Sequence, residues 1–388
     1  MSNQQVYMDH AATTPIRDEV FQKMVPFLKN NFGNPSSMYQ IGQTSRKALD
    51  ESREKVAKVL NCKRTEVIFT SGGTESDNTA IKGGALALQT TGNHIITTTI
   101  EHEAVIQTCQ ALENLGFDVT YLPVDRYGIV SPAHLKHSIK ETTILVSLML
   151  ANNEIGIIQD IPNLSSIIRS RATELERTIL IHSVAVQAAG FLDLNVKKLD
   201  LDMLSLSAHK FYGPKGVGIL YTKHGSPLVP QQLGGGQERQ QRAGTENIPG
   251  IVGCAEALSI AEEQRVIHSS HCEKLRDRLL DGIKNIPGVI LNTKANACLP
   301  NNVNVAIEGA PAESIILGLD LLGIAASSGS ACSTSSLEPS HVLLALGLTA
   351  DLAQNSLRLT LGKDNTQEDV DFVLANLPNL IDRVRAIN

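Results

Sequence analysis

The chain has no cysteine pair of the C-x-x-C kind, no long apolar run and no excess of positive charge. Each absence closes off a class of protein. Its six cysteines stand far apart, at positions 62, 109, 254, 272, 298 and 332, which argues against a structural zinc site. A disulfide framework is equally out of place, because the first residues, MSNQQVYMDH, lack the basic-then-apolar pattern of an export signal. No apolar stretch reaches the ~18 residues needed to span a bilayer. A net charge of −6 offers no basic patch to nucleic acid or to a membrane surface. Repeats and low-complexity tracts are also missing. What remains is a chain of 388 residues, 42% hydrophobic, expected in the cytoplasm and long enough for more than one domain.

From about residue 60 the chain alternates between two patterns. EVIFT (66–70), HIITTT (94–99), DVTYLPV (118–124), TILVSLML (143–150), TILIH (178–182), LDMLSLS (201–207) and VGILYT (217–222) are short and often apolar on both parities. That suits strands covered on both faces. Stretches with helical spacing lie between most of them, such as 76–89 and 104–116. Strand–helix alternation predicts an α/β fold with a mostly parallel sheet and helices on both faces. Before it, residues 46–61 read as an amphipathic helix with Leu49, Val56 and Leu60 on one stripe. After about residue 255 the pattern changes to a smaller α+β unit: one long helix over 255–284, strands near 287–293 and 302–307, and a last helix near 367–386.

Ligands of such sheets sit at the carboxyl ends of the strands. After EVIFT comes SGGTESDN (71–78), a glycine turn opening a helix, where free N–H groups and the helix dipole favour a phosphate at Gly73 and Thr74. By itself such a turn is common. In LSLSAHKFYGPKGVGIL (204–220) an apolar strand ends on Ser207, His209 and Lys210. A lysine beside a buried sheet edge can lose its proton and attack a carbonyl, although a solvated turn lysine is the commoner case. His102 follows another strand, where its ring could cover a flat ligand. ANNEIG (151–156) adds Asn153, and IHSVAVQAAG (181–190) adds Gln187. A phosphate cradle, a lysine, an imidazole and amides on one rim together suggest pyridoxal 5′-phosphate (PLP). A nicotinamide cofactor fits less well, since no G-x-G-x-x-G follows the first strand.

Several longer motifs run in order: MDHAATTP (8–15), FGNPSS (32–37), FTSGGTESDN (69–78), TIEHEAV (99–105), NNEIG (152–156), SAHKFYGPKG (207–216), GGGQERQQRAGT (234–245), SSGSACSTSSLEPS (327–340) and SLRLTLG (356–362). Through them the chain resembles, nearly end to end, class I cysteine desulfurases of the nitrogen-fixation and iron–sulfur-cluster type, within the fold-type I PLP enzymes. The resemblance implies a large PLP-binding domain (16–255) with a mostly parallel seven-stranded sheet. It also implies a small C-terminal α+β domain (256–388), which the segment 1–15 joins and which carries a mobile cysteine loop at about 325–340.

The same resemblance implies the roles. Lys210 carries PLP as a Schiff base. Gly73, Thr74, Ser207 and His209 hold its phosphate, with Thr245 reaching across from the second subunit of a homodimer. His102 stacks on the ring and moves protons, Asn153 and Gln187 contact the ring's phenolic oxygen, and Asn34 and Arg358 bind the substrate carboxylate. L-cysteine becomes L-alanine, and Cys332 takes the sulfur as a persulfide. The Gly, Ser and Ala around Cys332 give that loop the backbone freedom to deliver sulfur onward. The acceptor would be a protein such as an iron–sulfur scaffold. Many members contact that scaffold through a tail beyond the last helix. Here the last helix runs almost to Asn388, so the resemblance does not carry that contact across.

One position departs from the family pattern. The stretch His-x-Asp-Ala-x-Gln, whose aspartate pairs with the protonated pyridine nitrogen, reads His182-Ser183-Val184-Ala185-Val186-Gln187 here. Valine carries no charge. Losing one partner of a buried charged bond costs on the order of 3–5 kcal/mol, and ~3 kcal/mol in a barrier is a factor of roughly 100 in rate. Val184 is therefore expected to slow the reaction without abolishing it, unless a neighbouring polar group substitutes. Other readings stay open: a PLP aminotransferase or lyase on the same fold, a weakly active paralogue, or a PLP-binding sulfur-transfer partner without catalysis.

Overall fold

The computed structural model describes residues 5–328 and 338–387; Cys332 lies outside the described residues. A two-residue strand, β1 (Val6–Tyr7), precedes seven strands that form the main sheet: β2 (Val67–Thr70), β3 (His94–Thr98), β4 (Asp118–Leu122), β5 (Thr143–Ser147), β6 (Leu180–Val184), β7 (Met203–Ser207) and β8 (Gly218–Thr222). Their spatial order is β2-β8-β7-β6-β5-β3-β4. Only β8 runs against its neighbours; the other strands point the same way. Each of the seven apolar segments read from the sequence forms a strand.

The sheet is buried on both faces because successive side chains alternate between two cores. Leu180 and Val184 of β6 pack with Leu145, Met203 and Ile81 on one face. Ile181 packs with Val146, Leu204 and Leu206 on the other. The amphipathic helix spans Gln40–Leu60, with Leu49, Val56 and Leu60 buried, and it ends at Asn61 in the left-handed region, φ 53°.

The region past residue 255 differs in one respect. Two helices, Ile248–Glu263 and Arg265–Ile283, stand where one long helix is expected. Gln264, at φ −95° and ψ 2°, ends the first and begins the second. The first packs on the helices Asp18–Lys29 and Gln40–Leu60, the second on the last helix, Gln367–Ile387. Tertiary packing, rather than a Gly or Pro, sets this break. Beyond it lie β9 (Val289–Leu291), β10 (Asn302–Ile307), β11 (Ile324–Ala325), β12 (Ser327–Ser328) and β13 (Ser356–Thr360). An antiparallel sheet of order β12-β13-β10-β9 forms there, and β1 pairs with β11. Val6 and Met8 share a separate apolar core with Leu279, Val305, Leu357 and Leu377. No helix among the described residues is long and apolar enough to cross a membrane.

Candidate active site

A cavity of about 320 Å³ lies among residues that follow the carboxyl ends of β2, β3, β5, β6 and β7, a volume suited to a cofactor. Its lining includes Gly73, Thr74, His102, Asn153, Val184, Gln187, Ser207, His209, Lys210 and Arg358. Residues read from separate motifs thus converge on one space.

At one end, β2 turns into the helix Gly73–Leu88. No side chain caps this helix start, so its first N–H groups and positive dipole end remain for an anion. The turn is tightly held. A Cβ at Gly218 of β8 would stand 2.5 Å from the Gly72 carbonyl carbon, and one at Gly73 would stand 3.1 Å from Val186 Cγ2. Ser207 and His209 arrive from the end of β7. The His209 Nδ1 lies 3.1 Å from the Thr13 hydroxyl, and burial, aided by Lys210, pushes its pKa down to about 4. A neutral ring at pH 7 follows.

Lys210 closes a single 3₁₀ turn, Ala208–Lys210. Its ammonium donates to the carbonyls of Ala11 at 2.5 Å and Ala12 at 2.7 Å. The Gln187 side-chain amide donates to the same Ala11 carbonyl at 2.9 Å. The segment MDHAATTP therefore supplies backbone acceptors to the cavity. His102 caps the helix Glu103–Glu113: its Nδ1 accepts the Ala104 N–H at 3.1 Å. The ring proton then belongs on Nε2. Burial and the Lys210 charge hold the His102 pKa below the usual value.

Arg358 of β13 is 1% exposed. It donates to the Asn153 carbonyl at 2.8 Å and, through Nη2, to the Asp9 carboxylate and the Ser327 hydroxyl at 2.9 Å each. Its Nε has no hydrogen-bond partner among the described residues. A carboxylate entering the cavity would meet a guanidinium that Asp9 already holds in position.

The floor is built differently. Val184, 5% exposed, is joined there by Asp77, Glu101 and Met149. The Glu101 Oε1 accepts the Met149 N–H at 2.8 Å and the Thr98 hydroxyl at 3.1 Å. Its Oε2 and the Asp77 Oδ1 have no hydrogen-bond partner among the described residues. Burial pushes Asp77 up to about 7 and Glu101 up to about 8. Neither residue stands out in the sequence, because both sit inside motifs read for other members: Thr74 in FTSGGTESDN and His102 in TIEHEAV.

Asn34 and Thr245 are exposed and do not line the cavity of the single chain. The Asn34 side chain accepts the Ser36 N–H at 2.9 Å. The loop carrying Thr245 is anchored by Arg242, which pairs with Glu75 at 2.9 Å. It is anchored again by Glu238, which pairs with Arg53 at 2.8 Å in a site where both side chains are buried. The five described cysteines are inert thiols. Cys62 is half-buried and the other four are buried. Burial pushes Cys62, Cys109 and Cys272 up to about 12, Cys298 up to about 11, and Cys254 higher still.

The chain belongs to the aminotransferase class-V family, whose family model matches residues 6–373. Within that family its relatives are cysteine desulfurases. It is 51% identical over 383 residues to the cysteine desulfurase IscS of Methanosarcina thermophila, covering 99% of this chain and 93% of the relative. A solved NifS-like protein superposes with a TM-score of 0.92 at 39% identity, covering 98% of this chain and all of the other. A structure described as SspA in complex with cysteine has a TM-score of 0.80 at 35% identity, covering 92% and 99%.

The family's cofactor is PLP, and the residues present fit it. An uncapped helix start beside Ser207 and a neutral His209 suits a phosphate. A half-buried lysine held by two carbonyls suits the aldehyde. A neutral imidazole with its proton fixed on the far nitrogen suits the face of a flat ring.

Proposed function

We propose that the protein is a cysteine desulfurase that holds PLP at Lys210, converts L-cysteine to L-alanine and passes the sulfur to Cys332. One observation carries this reading: Lys210, His102, the Gly73 helix start and the Arg358 guanidinium line a single cavity.

PLP, when bound, supplies an electron sink for the charge left at the substrate Cα after deprotonation. The chain supplies the rest. Gly73, Thr74, Ser207 and His209 bind the phosphate, and Thr245 joins them from the second subunit of a homodimer. Asn153 and Gln187 orient the phenolic oxygen. The Arg358 guanidinium binds the substrate carboxylate, helped by Asn34, and so holds the Cα hydrogen near Lys210. The Lys210 amine removes that proton. His102, neutral at pH 7 and protonated on Nε2, would cover the face of the bound ring and could hold or give up a proton there. The Cys332 thiolate attacks the substrate sulfur; the Cβ–S bond breaks, its electron pair returns to carbon, and a proton completes alanine. The net change is cysteine plus thiol to alanine plus persulfide, with no outside oxidant or reductant.

Around this site we assign residues 16–255 to the large domain and 256–388, together with 1–15, to the small one. Release of the persulfide sulfur to an acceptor protein, such as an iron–sulfur scaffold, completes the cycle. The test is direct. Purified protein supplied with PLP and L-cysteine should form alanine, and Lys210→Ala and Cys332→Ser should not. Pyruvate with free sulfide and ammonia in place of alanine would establish a lyase instead, and 3-mercaptopyruvate formed only when a 2-oxo acid acceptor is added would establish an aminotransferase.

A further inference from the structure

We propose that Asp77 is the charge partner of the cofactor's ring nitrogen, in place of the carboxylate that Val184 cannot supply. The inference rests on the reading that PLP occupies the cavity. A pyridine nitrogen is a stronger electron sink when protonated, and an acidic side chain is one of the partners that hold that proton. In a buried site that partner must carry opposite charge, because an isolated charge away from water is unfavourable. Val184 provides no such group.

Asp77 stands in the right place. It lies four residues after Gly73, one turn deeper along the helix whose start faces the anion end. On the same helix, a Cβ at Gly84 would lie 3.0 Å from Leu145 and Leu180 side-chain carbons and 3.5 Å from the Met203 terminal carbon. The inward stripe of this helix therefore crosses β5, β6 and β7. Asp77, nearer the helix start, lies over their carboxyl ends. Its Oδ1 is 3.7 Å from the Nε2 of His182. His182 is two residues before Val184 on β6, and so on the same face of the sheet.

His182 is not the counter-charge for Asp77. Burial pushes its pKa down to about 3, and its two nitrogens are taken by the hydroxyls of Ser147 at 2.8 Å and Ser205 at 2.9 Å. Asp77 is 2% exposed, and its Oδ1 has no hydrogen-bond partner among the described residues. A buried polar atom left in that state calls for an explanation. A cationic ring nitrogen arriving at the cavity floor is one, and it would pull the carboxyl towards its charged form.

Glu101 is the other buried carboxyl of the floor. Its Oε1 is tied by two hydrogen bonds to Met149 and Thr98, and it repels Asp77 as a like charge. Lys210, His102, Arg358, His209, His341 and Glu103 also face the cavity, as does the buried Glu154, whose Oε2 accepts the Ser340 hydroxyl at 2.6 Å. Lys210, His102 and Arg358 gather with the carbonyls of Ala11, Ala12 and Asn153, the N–H of Ala104 and the carboxylate of Asp9.

The experiment loads the protein with PLP labelled with ¹⁵N in the ring and reads the nitrogen's protonation by NMR, alongside the PLP dissociation constant. The unmodified protein should hold a protonated nitrogen at pH 7. Asp77→Asn, of the same shape, should lose it and weaken PLP binding by about 10- to 100-fold, the range of one charged hydrogen bond. Val184→Asp added to Asp77→Asn should restore both, which a merely structural role for Asp77 would not allow. Glu101→Gln should keep the nitrogen protonated. If Asp77→Asn fails to fold by circular dichroism, Asp77→Ser takes its place. A nitrogen equally protonated with and without the Asp77 carboxyl overturns the inference, as does loss of protonation in Glu101→Gln alone. Failure of the unmodified protein to form any Lys210-linked PLP would instead overturn the underlying reading.

Discussion

At the rim of the cavity Lys210, Gln187 and Arg358 are held by hydrogen bonds to the backbone and to Asp9, whereas at its floor two buried acids each keep one oxygen without a partner among the described residues. Lys210 donates to two carbonyls, Gln187 to one, and Arg358 to Asn153, Asp9 and Ser327. On the floor, Asp77 and Glu101 each leave an oxygen buried without a hydrogen-bond partner among the described residues. The rim is a positioned scaffold that stays in register without a ligand. The floor carries two buried acids, each with one unpartnered oxygen among the described residues, whose environment a bound cation would complete. Four tests break or sharpen this contrast.

Removing the rim's reactive group should have the largest effect. Lys210→Ala should cut alanine formation by about 10³-fold or more, since a positioned acid–base group contributes about 10²–10⁴. A chromatographic assay of alanine checks it, and a loss below tenfold would remove Lys210 from the chemistry. Next comes the support behind the rim. Glu238 accepts two guanidinium N–H groups of Arg53 and the Phe69 N–H of β2. Glu238→Ala leaves the Arg53 charge buried and unpaired, so urea unfolding should register a loss of about 3–5 kcal/mol. Unchanged stability would show that this loop is not anchored through the pair.

The third test concerns the floor. Asp77→Asn should lower alanine formation by about 100-fold, the effect of ~3 kcal/mol in the barrier, and Val184→Asp should restore most of it. Val184→Asp alone should change the rate less than about tenfold, because a second carboxylate beside an occupied one is repelled. A large gain from Val184→Asp alone would mean that Asp77 does not already do the work.

The smallest effect is on pH dependence without PLP. Burial holds His10, His209 and His268 near a pKa of about 4 and His182 near about 3. These rings take up protons on unfolding below pH ~6.5. Their contribution is present above that value and is lost as pH falls. Asp77 and Glu101 act in the opposite sense. Their folded pKa values are raised, so their contribution is complete below pH ~4 and is lost as pH rises through about 7 and about 8. Urea midpoints should climb from pH 4.5 to about 6.5 and then decline. PLP should flatten the upper limb by holding Asp77 charged. A decline that PLP leaves unchanged would detach Asp77 from the ring.

Much of this was legible in the sequence. All seven strands of the main sheet announce themselves because strands buried on both faces must be apolar on both parities. The rim residues stand at strand ends, where glycine turns and the Ser-x-His-Lys run mark them. The break at Gln264 was not legible, since no glycine or proline signals it and it follows from which helices pack against each half. The floor was not legible either. Asp77 sits in TESDN, a run that looks like a solvated helix start, and only the stripe through Gly73 and Gly84 shows that it faces the sheet. Asp9 was equally hidden, because its partner Arg358 lies at the other end of the chain.

One measurement tests the central claim most directly: a single turnover of the PLP-loaded protein with sulfur-labelled L-cysteine, followed by mass analysis of the peptide containing residue 332. The account predicts one labelled sulfur on Cys332 for each alanine released, and neither product from Lys210→Ala. Labelled sulfide free in solution with pyruvate, and an unmodified Cys332, would contradict it.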